Sequence, residues 1–192
     1  RSVVVQRINR IQNTLDVMLG DAATGRVTTL MTEKDDAWVD VGDDFRWLDG
    51  GRRFLWVSER DGWRHVFAVD LQKAQGFSPA PGAQPQAPSP AARLLTPAPF
   101  DVIEVEHVDE AGGWLYFSAS PDNAAQRFLF RTRLDGAGPA DRLKAARPAS
   151  ERGTQAPRPA TLPERGTPER LTPASERGTH RYQISADGRW AI

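Results

Sequence analysis

The sequence predicts an all-β fold built from repeated four-stranded antiparallel units, and three observations predict it. Short apolar runs of strand length are separated by turns rich in Asp and Gly. The pattern recurs about sixty residues later, and aromatic residues hold matching places in each copy. Residues 45–71, FRWLDGGRRFLWVSERDGWRHVFAVDL, show the unit best. Three apolar runs are divided by Asp49-Gly50-Gly51 and by Arg60-Asp61-Gly62, and Asp-Gly between apolar runs is a strong hairpin signal because glycine adopts positive φ without steric cost. In Phe54-Leu55-Trp56-Val57 and Val66-Phe67-Ala68-Val69 both strand faces are apolar, so the sheet must be covered above and below.

The expected cover is further copies of the unit. Gly113-Trp114-Leu115-Tyr116-Phe117-Ser118 lies in register with Arg53-Phe54-Leu55-Trp56-Val57-Ser58, and residues 127–132 match residues 64–69. A fourth run closes each unit, Arg93-Leu94-Leu95-Thr96-Pro97 and then Arg170-Leu171-Thr172-Pro173; a third copy starts at Tyr182. Such units are the blades of a β-propeller. A generic antiparallel sandwich shares the short strands and frequent turns, but recurring aromatic positions favour the propeller.

In chain order, residues 3–7 and 14–20 read as strands joined through 9–13, and residues 26–31 as a closing outer strand after the turn at 21–25. The expected organisation is an incomplete first blade with its connection (1–44), a blade with a Pro-rich insertion at 76–92 (45–97), a blade with a second insertion at 136–169 (98–173), and the start of another blade (174–192). Both ends fall inside repeating units, so the sequence reads as a piece of a longer protein.

The insertions are poor in large apolar residues and are expected to be disordered, since they cannot bury enough surface to offset ordering entropy. Within the second, Pro148-Ala149-Ser150-Glu151-Arg152-Gly153-Thr154 recurs as Pro173-Ala174-Ser175-Glu176-Arg177-Gly178-Thr179, with a partial copy at Pro163-Glu164-Arg165-Gly166-Thr167. This reads as tandem expansion of an ordinary link, tolerated because lengthening a surface loop costs little. Residues 81–90 could form a polyproline II docking segment, although a spacer explains them as well.

Composition narrows the function classes. The chain has 192 residues with 25 basic and 25 acidic side chains, which gives no electrostatic case for nucleic acid or an anionic membrane as partner. There is no cysteine, hence no disulfide and no thiolate metal site. No apolar run has transmembrane length, and the N-terminal residues lack a signal-peptide layout.

Motifs for bond chemistry are scarce. No Gly-x-Ser-x-Gly turn presents a nucleophile, and no His-x-x-x-His proposes zinc, so no catalytic residue, metal or cofactor is expected. The acidic connection holding Asp35, Asp36, Asp40, Asp43 and Asp44 lacks calcium-loop spacing. His65 reads as a satisfied blade histidine, and Ser58 and Asp61 as side chains that tie down a turn. Glu104 and Glu106 share a strand face near Asp109, the arrangement a propeller glycosidase or lyase would need, although a solvated strand edge explains them too.

Taken together, residues 6–13, Ala37-Trp38-Val39-Asp40 and residues 54–67 resemble the N-terminal propeller of dipeptidyl peptidase IV enzymes, and residues 113–117, Leu171-Thr172-Pro173 and Gly178-Thr179-His180 continue the resemblance in order. The block Ser58-Glu59-Arg60-Asp61-Gly62, followed by an aromatic residue and His65, is its most specific part.

The resemblance implies the non-catalytic propeller portion of a serine exopeptidase of the prolyl oligopeptidase clan. In that family an eight-bladed propeller caps an α/β-hydrolase domain whose Ser-Asp-His triad removes X-Pro or X-Ala dipeptides from peptide N-termini. The implied partners are that hydrolase domain and peptide substrates. The family's glutamate pair for the substrate amine lies before the matched region and maps to no residue here. Asp43 and Asp44 fall where the propeller edges the substrate pocket, which implies a rim role. The family favours a periplasmic or secreted setting over a cytoplasmic one. An open set of blades leaves apolar faces and strand edges uncovered, so self-association, as a homodimer or by strand exchange, is expected. The rival reading is a TolB or WD-repeat type scaffold with no attached enzyme.

Overall fold

The structure is a computed structural model of the chain, and it describes residues 1–71, 92–136 and 167–192. Most of both predicted insertions, with the heptapeptide copies at 148–154 and 163–166, lies outside the described residues. Two compact units divide at Ala92 and Arg93.

The first unit opens with a three-stranded antiparallel meander, β1 (Ser2–Ile8), β2 (Thr14–Asp21) and β3 (Val27–Lys34). Asn9 makes the first turn tight: its Oδ1 accepts the Asn13 and Thr14 amides at 3.0 and 3.2 Å. Asp21 does the same for Ala23 and Thr24. The register between β2 and β3 shifts at Val17/Met18, where Leu30 has no opposite partner. This bulge leaves Leu30 buried on a strand whose first three residues are exposed.

The second sheet runs β4 (Arg46–Leu48), β5 (Arg53–Ser58), β6 (His65–Asp70) and β7 (Ala92–Leu94), in that order. A short 3-10 turn, Asp49–Gly51, joins β4 to β5 with φ of 51°, 63° and 92° at its three residues. Two glycines meet that demand freely, and Asp49 is held in place by its ion pair with Arg53.

These two sheets share one core. Leu15, Val17 and Leu30 from the first meander and Val39 from the connection pack with Phe54, Trp56 and Val69 of the second. The double-sided apolar pattern of β5 and β6 is thus satisfied, on one face, by a neighbouring blade. Burying each large side chain is worth roughly 1.5–3 kcal/mol, so this seam is a main stabilising feature of the unit. Val39 was expected in a polar connection; it is buried there because its amide donates to the Gln12 carbonyl at 2.7 Å, which draws the loop onto the meander.

In the second unit β8 (Val102–Asp109), β9 (Trp114–Ala119), β10 (Phe128–Arg133) and β11 (Glu169–Arg170) form a four-stranded antiparallel sheet in chain order. Two register shifts interrupt β8 against β9. The closing strand is short, yet firmly tied: the Leu129 amide donates to Thr172 Oγ1 at 2.8 Å, and the Leu171 amide donates to the Leu129 carbonyl at 2.8 Å. Beyond it the chain forms a small hairpin in which Ile184 bridges Ala191, closed by Ser185, Asp187 and Gly188. Three antiparallel meanders of this kind are the partial propeller that the repeats predict.

Candidate functional site

The turn between β5 and β6 carries the most specific sequence block. The Gly62 amide donates to the Glu59 carbonyl at 2.8 Å, and Gly62 sits at φ 91°. Ser58, buried at the end of β5, accepts the Arg60 amide at 3.2 Å and Arg60 Nε at 3.1 Å. Glu59 points to solvent. Asp61 Oδ2 lies 2.8 Å from His65 Nδ1, and the His65 ring is 1% exposed. The other Asp61 oxygen is buried with no hydrogen-bond partner among the described residues.

Arg60 leaves the turn toward the neighbouring blade. Its guanidinium pairs with Glu33 at the end of β3 and lies 5.1 Å from the centre of the Phe67 ring. The same Glu33 oxygen accepts Trp56 Nε1 at 2.8 Å. One carboxylate therefore clasps two sheets through an arginine and an indole. Nothing in the sequence pattern marked Glu33, which follows the neutral run Thr28-Thr29-Leu30-Met31-Thr32 and precedes Lys34 at the end of β3.

The acidic connection divides into residues with distinct duties. Asp35 Oδ1 accepts the amides of Ala37 and Trp38, and Asp40 Oδ1 accepts that of Val41. Asp44 is half-buried and pairs with Arg64 of the turn region at 2.9 Å. Asp43 is exposed, and its carbonyl accepts the Phe45 amide at 2.8 Å. The structure thus places Asp44 beside the β5–β6 turn, and Asp43 next to it on the surface. Among the described residues no three His, Cys, Asp or Glu side chains converge in a metal-binding group.

In the second unit Glu104 and Glu106 do meet, but around an arginine: Arg127 Nη2 donates to both, at 2.9 Å to Glu106. Burial alone would lower the Arg127 pKa, and the hydrogen bonds from it to the two carboxylates override that and raise it. A carboxylate pair bridged by a permanent cation is a structural fastener, ill suited to the proton transfers of glycoside cleavage. His107 and His180 each bury Nε2 without a hydrogen-bond partner among the described residues, and His180 stacks against Tyr182.

The family profile described as the dipeptidyl peptidase IV (DPP IV) N-terminal region matches residues 1–191. The chain belongs to that family. Among solved structures it is similar to Porphyromonas gingivalis dipeptidyl peptidase 4, with 17% identity and a TM-score of 0.65, covering 100% of this chain and 20% of that one. It is also similar to a Bacteroides ovatus protein described as a dipeptidyl aminopeptidase IV, with 17% identity and a TM-score of 0.67, covering 100% of this chain and 23% of that one. At this identity the likeness speaks for the fold. The chain spans about a fifth of the length of these DPP IV structures. The clasp of Glu33, Trp56 and Arg60 is accordingly a feature of a DPP IV N-terminal region, built on the sequence block that carried the resemblance.

Proposed function

We propose that this chain is the non-catalytic propeller portion of a dipeptidyl peptidase IV-like serine exopeptidase. It walls and gates a cavity in which a separate α/β-hydrolase domain removes X-Pro or X-Ala dipeptides from peptide N-termini. The match to the DPP IV N-terminal region over residues 1–191 carries the reading. The blade boundaries of the proposal are 1–44, 45–97, 98–173 and 174–192.

The described residues supply rigidity for such a wall. Three of the side chains that could do acid–base work are committed elsewhere: His65 is shut inside the blade against Asp61, and Glu104 and Glu106 are bridged by Arg127. Asp44, tied to Arg64, holds the connection in place, and exposed Asp43 is the rim residue open to a passing peptide. The block Ser58, Glu59, Arg60, Asp61, Gly62 and His65 acts as a structural motif that locks one blade to the next. The partners are the hydrolase domain of the same protein, peptide substrates and, through uncovered blade faces, a second copy of the chain.

The test is hydrolysis of a Gly-Pro chromogenic substrate by this chain alone and by the product of the longer reading frame. The chain alone gives no turnover and the longer product does. Turnover by the chain alone that survives repurification would overturn the reading. So would a longer product with no hydrolase domain, which would favour a binding scaffold.

A further inference from the structure

The edges of the three sheets are not alike. β4 and β7 are three residues long and β11 is two. β8 is broken by two register shifts against β9, and β3 by the shift opposite Val17/Met18. Shortness and bulges are the usual protections of an open strand edge. β1 has neither: among the described residues it pairs with β2 alone, in one unbroken register from Ser2 to Ile8. Its ends show which way its backbone points. The Asn9 amide donates to the Thr14 carbonyl at 3.0 Å, and the Ala22 amide donates to the Arg1 carbonyl at 2.9 Å. Odd-numbered residues therefore bond to β2, while Ser2, Val4, Gln6 and Ile8 turn their amides and carbonyls to the open side. Val3 and Val5 are exposed on one face, with Met18 next to Val5 on β2.

We propose that the open edge of β1 pairs with β1 of a second copy of this chain, antiparallel about a two-fold axis at Val5. This gives the second-copy partner of the preceding reading a backbone edge in place of a blade face, and rests on that reading only for the partner's identity. In full overlap Ser2 stands opposite Ile8 of the second copy, Val4 opposite Gln6, and Val5 opposite Val5. An identical antiparallel strand presents its outward groups at the same two-residue spacing, so each outward amide and carbonyl meets a partner. Charge selects the register. Full overlap sets Arg7, already tied to Asp16 at 2.7 Å, opposite Val3, and no like charges face each other. A two-residue slide one way sets Arg1 opposite Arg7, and a slide the other way leaves Ser2 beyond the end of the facing strand. Full overlap also joins Met18 and Val5 of both copies into one apolar row across the two-fold axis.

Charge exchange at Val5 tests the pairing on the full chain, with mass read by sedimentation velocity. The unaltered chain forms a dimer whose fraction rises with concentration. Val5→Lys and Val5→Glu each place like charges at the two-fold axis and weaken association roughly tenfold, and an equimolar mixture of the two restores it. Val5→Cys, in a chain with no other cysteine, forms a disulfide-linked dimer roughly tenfold faster than Val3→Cys, although Val3 is the more exposed residue. Val4→Pro removes an outward amide, leaves the β1–β2 ladder intact and holds the chain monomeric with unchanged circular dichroism. Should Val4→Pro unfold the chain, the charge exchange, which alters no backbone group, decides. An unaltered chain that stays monomeric at high concentration would mean that its own residues cover the edge, and would overturn the pairing. So would Lys and Glu variants that associate singly as well as they do mixed. These readouts are masses, so their failure is distinct from a failure of the hydrolysis test.

Discussion

Blades β4–β7 and β8–β11 are built to the same plan and fastened differently. Phe54 and Trp114 hold the same place in the repeat. Phe54 is fully buried beside Leu15, Val17 and Leu30, whereas Trp114 is half-buried between two guanidinium groups, Arg131 at 4.3 Å and Arg133 at 4.7 Å. The cross-strand partners explain the difference. Phe54 and Trp56 stand opposite Val69 and Phe67, but Trp114 and Tyr116 stand opposite Arg133 and Arg131. An apolar partner strand hands the aromatic side chain to a neighbouring blade. A partner strand with arginine at alternate positions keeps it as a platform for cations. The repeat thus sets the backbone, and the partner strand sets what the aromatic does.

That contrast can be broken by truncation. Phe54→Ala is expected to cost about 3–5 kcal/mol, the usual result of emptying a closed core site, and Trp114→Ala about 1–2 kcal/mol from lost cation–π contact and partial burial. Urea denaturation followed by tryptophan fluorescence or circular dichroism measures both. Equal losses would show that the two positions do the same work.

The clasp between the first two blades is the next largest effect. Glu33→Gln leaves Arg60 without its carboxylate and is expected to cost about 2–3 kcal/mol, while Glu59→Gln, on the exposed face of the same turn, should change stability by less than about 0.5 kcal/mol. Below that in size comes Gly62→Ala, where a side chain at φ 91° costs about 1 kcal/mol or more although open space surrounds it. A neutral outcome would mean that the turn can relax to negative φ.

These elements were legible to different degrees. Strands β1, β2, β5, β6, β9 and β10 stood out because apolar runs bounded by polar turns rich in Asn, Asp and Gly are local signals. Short β7 and β11 were legible only through the recurrence of Arg-Leu before Thr-Pro, and both are shorter than the runs suggest. Glu33 was not legible, since its partners Trp56 and Arg60 reach it only after two sheets have packed. Val39 was hidden by acidic neighbours whose carboxylates turn to their own backbone and leave the valine to the core. Asp44 was legible as an acid in a connection, but its pairing with Arg64 was not.

The smallest expected effect is on acid sensitivity. The hydrogen bond from Arg53 holds the Asp49 carboxyl below its ordinary pKa, against a modest opposing effect of burial. Burial pushes the Asp16 carboxyl up, but hydrogen bonds from Arg7 and Thr32 more than reverse this and lower it. A carboxyl with a lowered folded-state pKa adds stability above its unfolded pKa, and that increment is lost as pH falls through the folded value. Arg7, the partner of Asp16, is largely exposed and the Asp49 side chain is about a third exposed, so screening keeps the loss from Asp16→Asn or Asp49→Asn below about 1 kcal/mol at neutral pH. Each should also flatten the decline in stability below the ordinary carboxylate range, as measured by urea midpoints across an acid series.

The first two sheets pack against each other as wedges of one unit, and a double-mutant cycle between Glu33→Gln and Arg60→Met tests this most directly. The two residues lie on different sheets and meet only if the sheets are stacked as described. The account predicts a coupling energy of about 1 kcal/mol or more, whereas additivity within about 0.3–0.5 kcal/mol would contradict it.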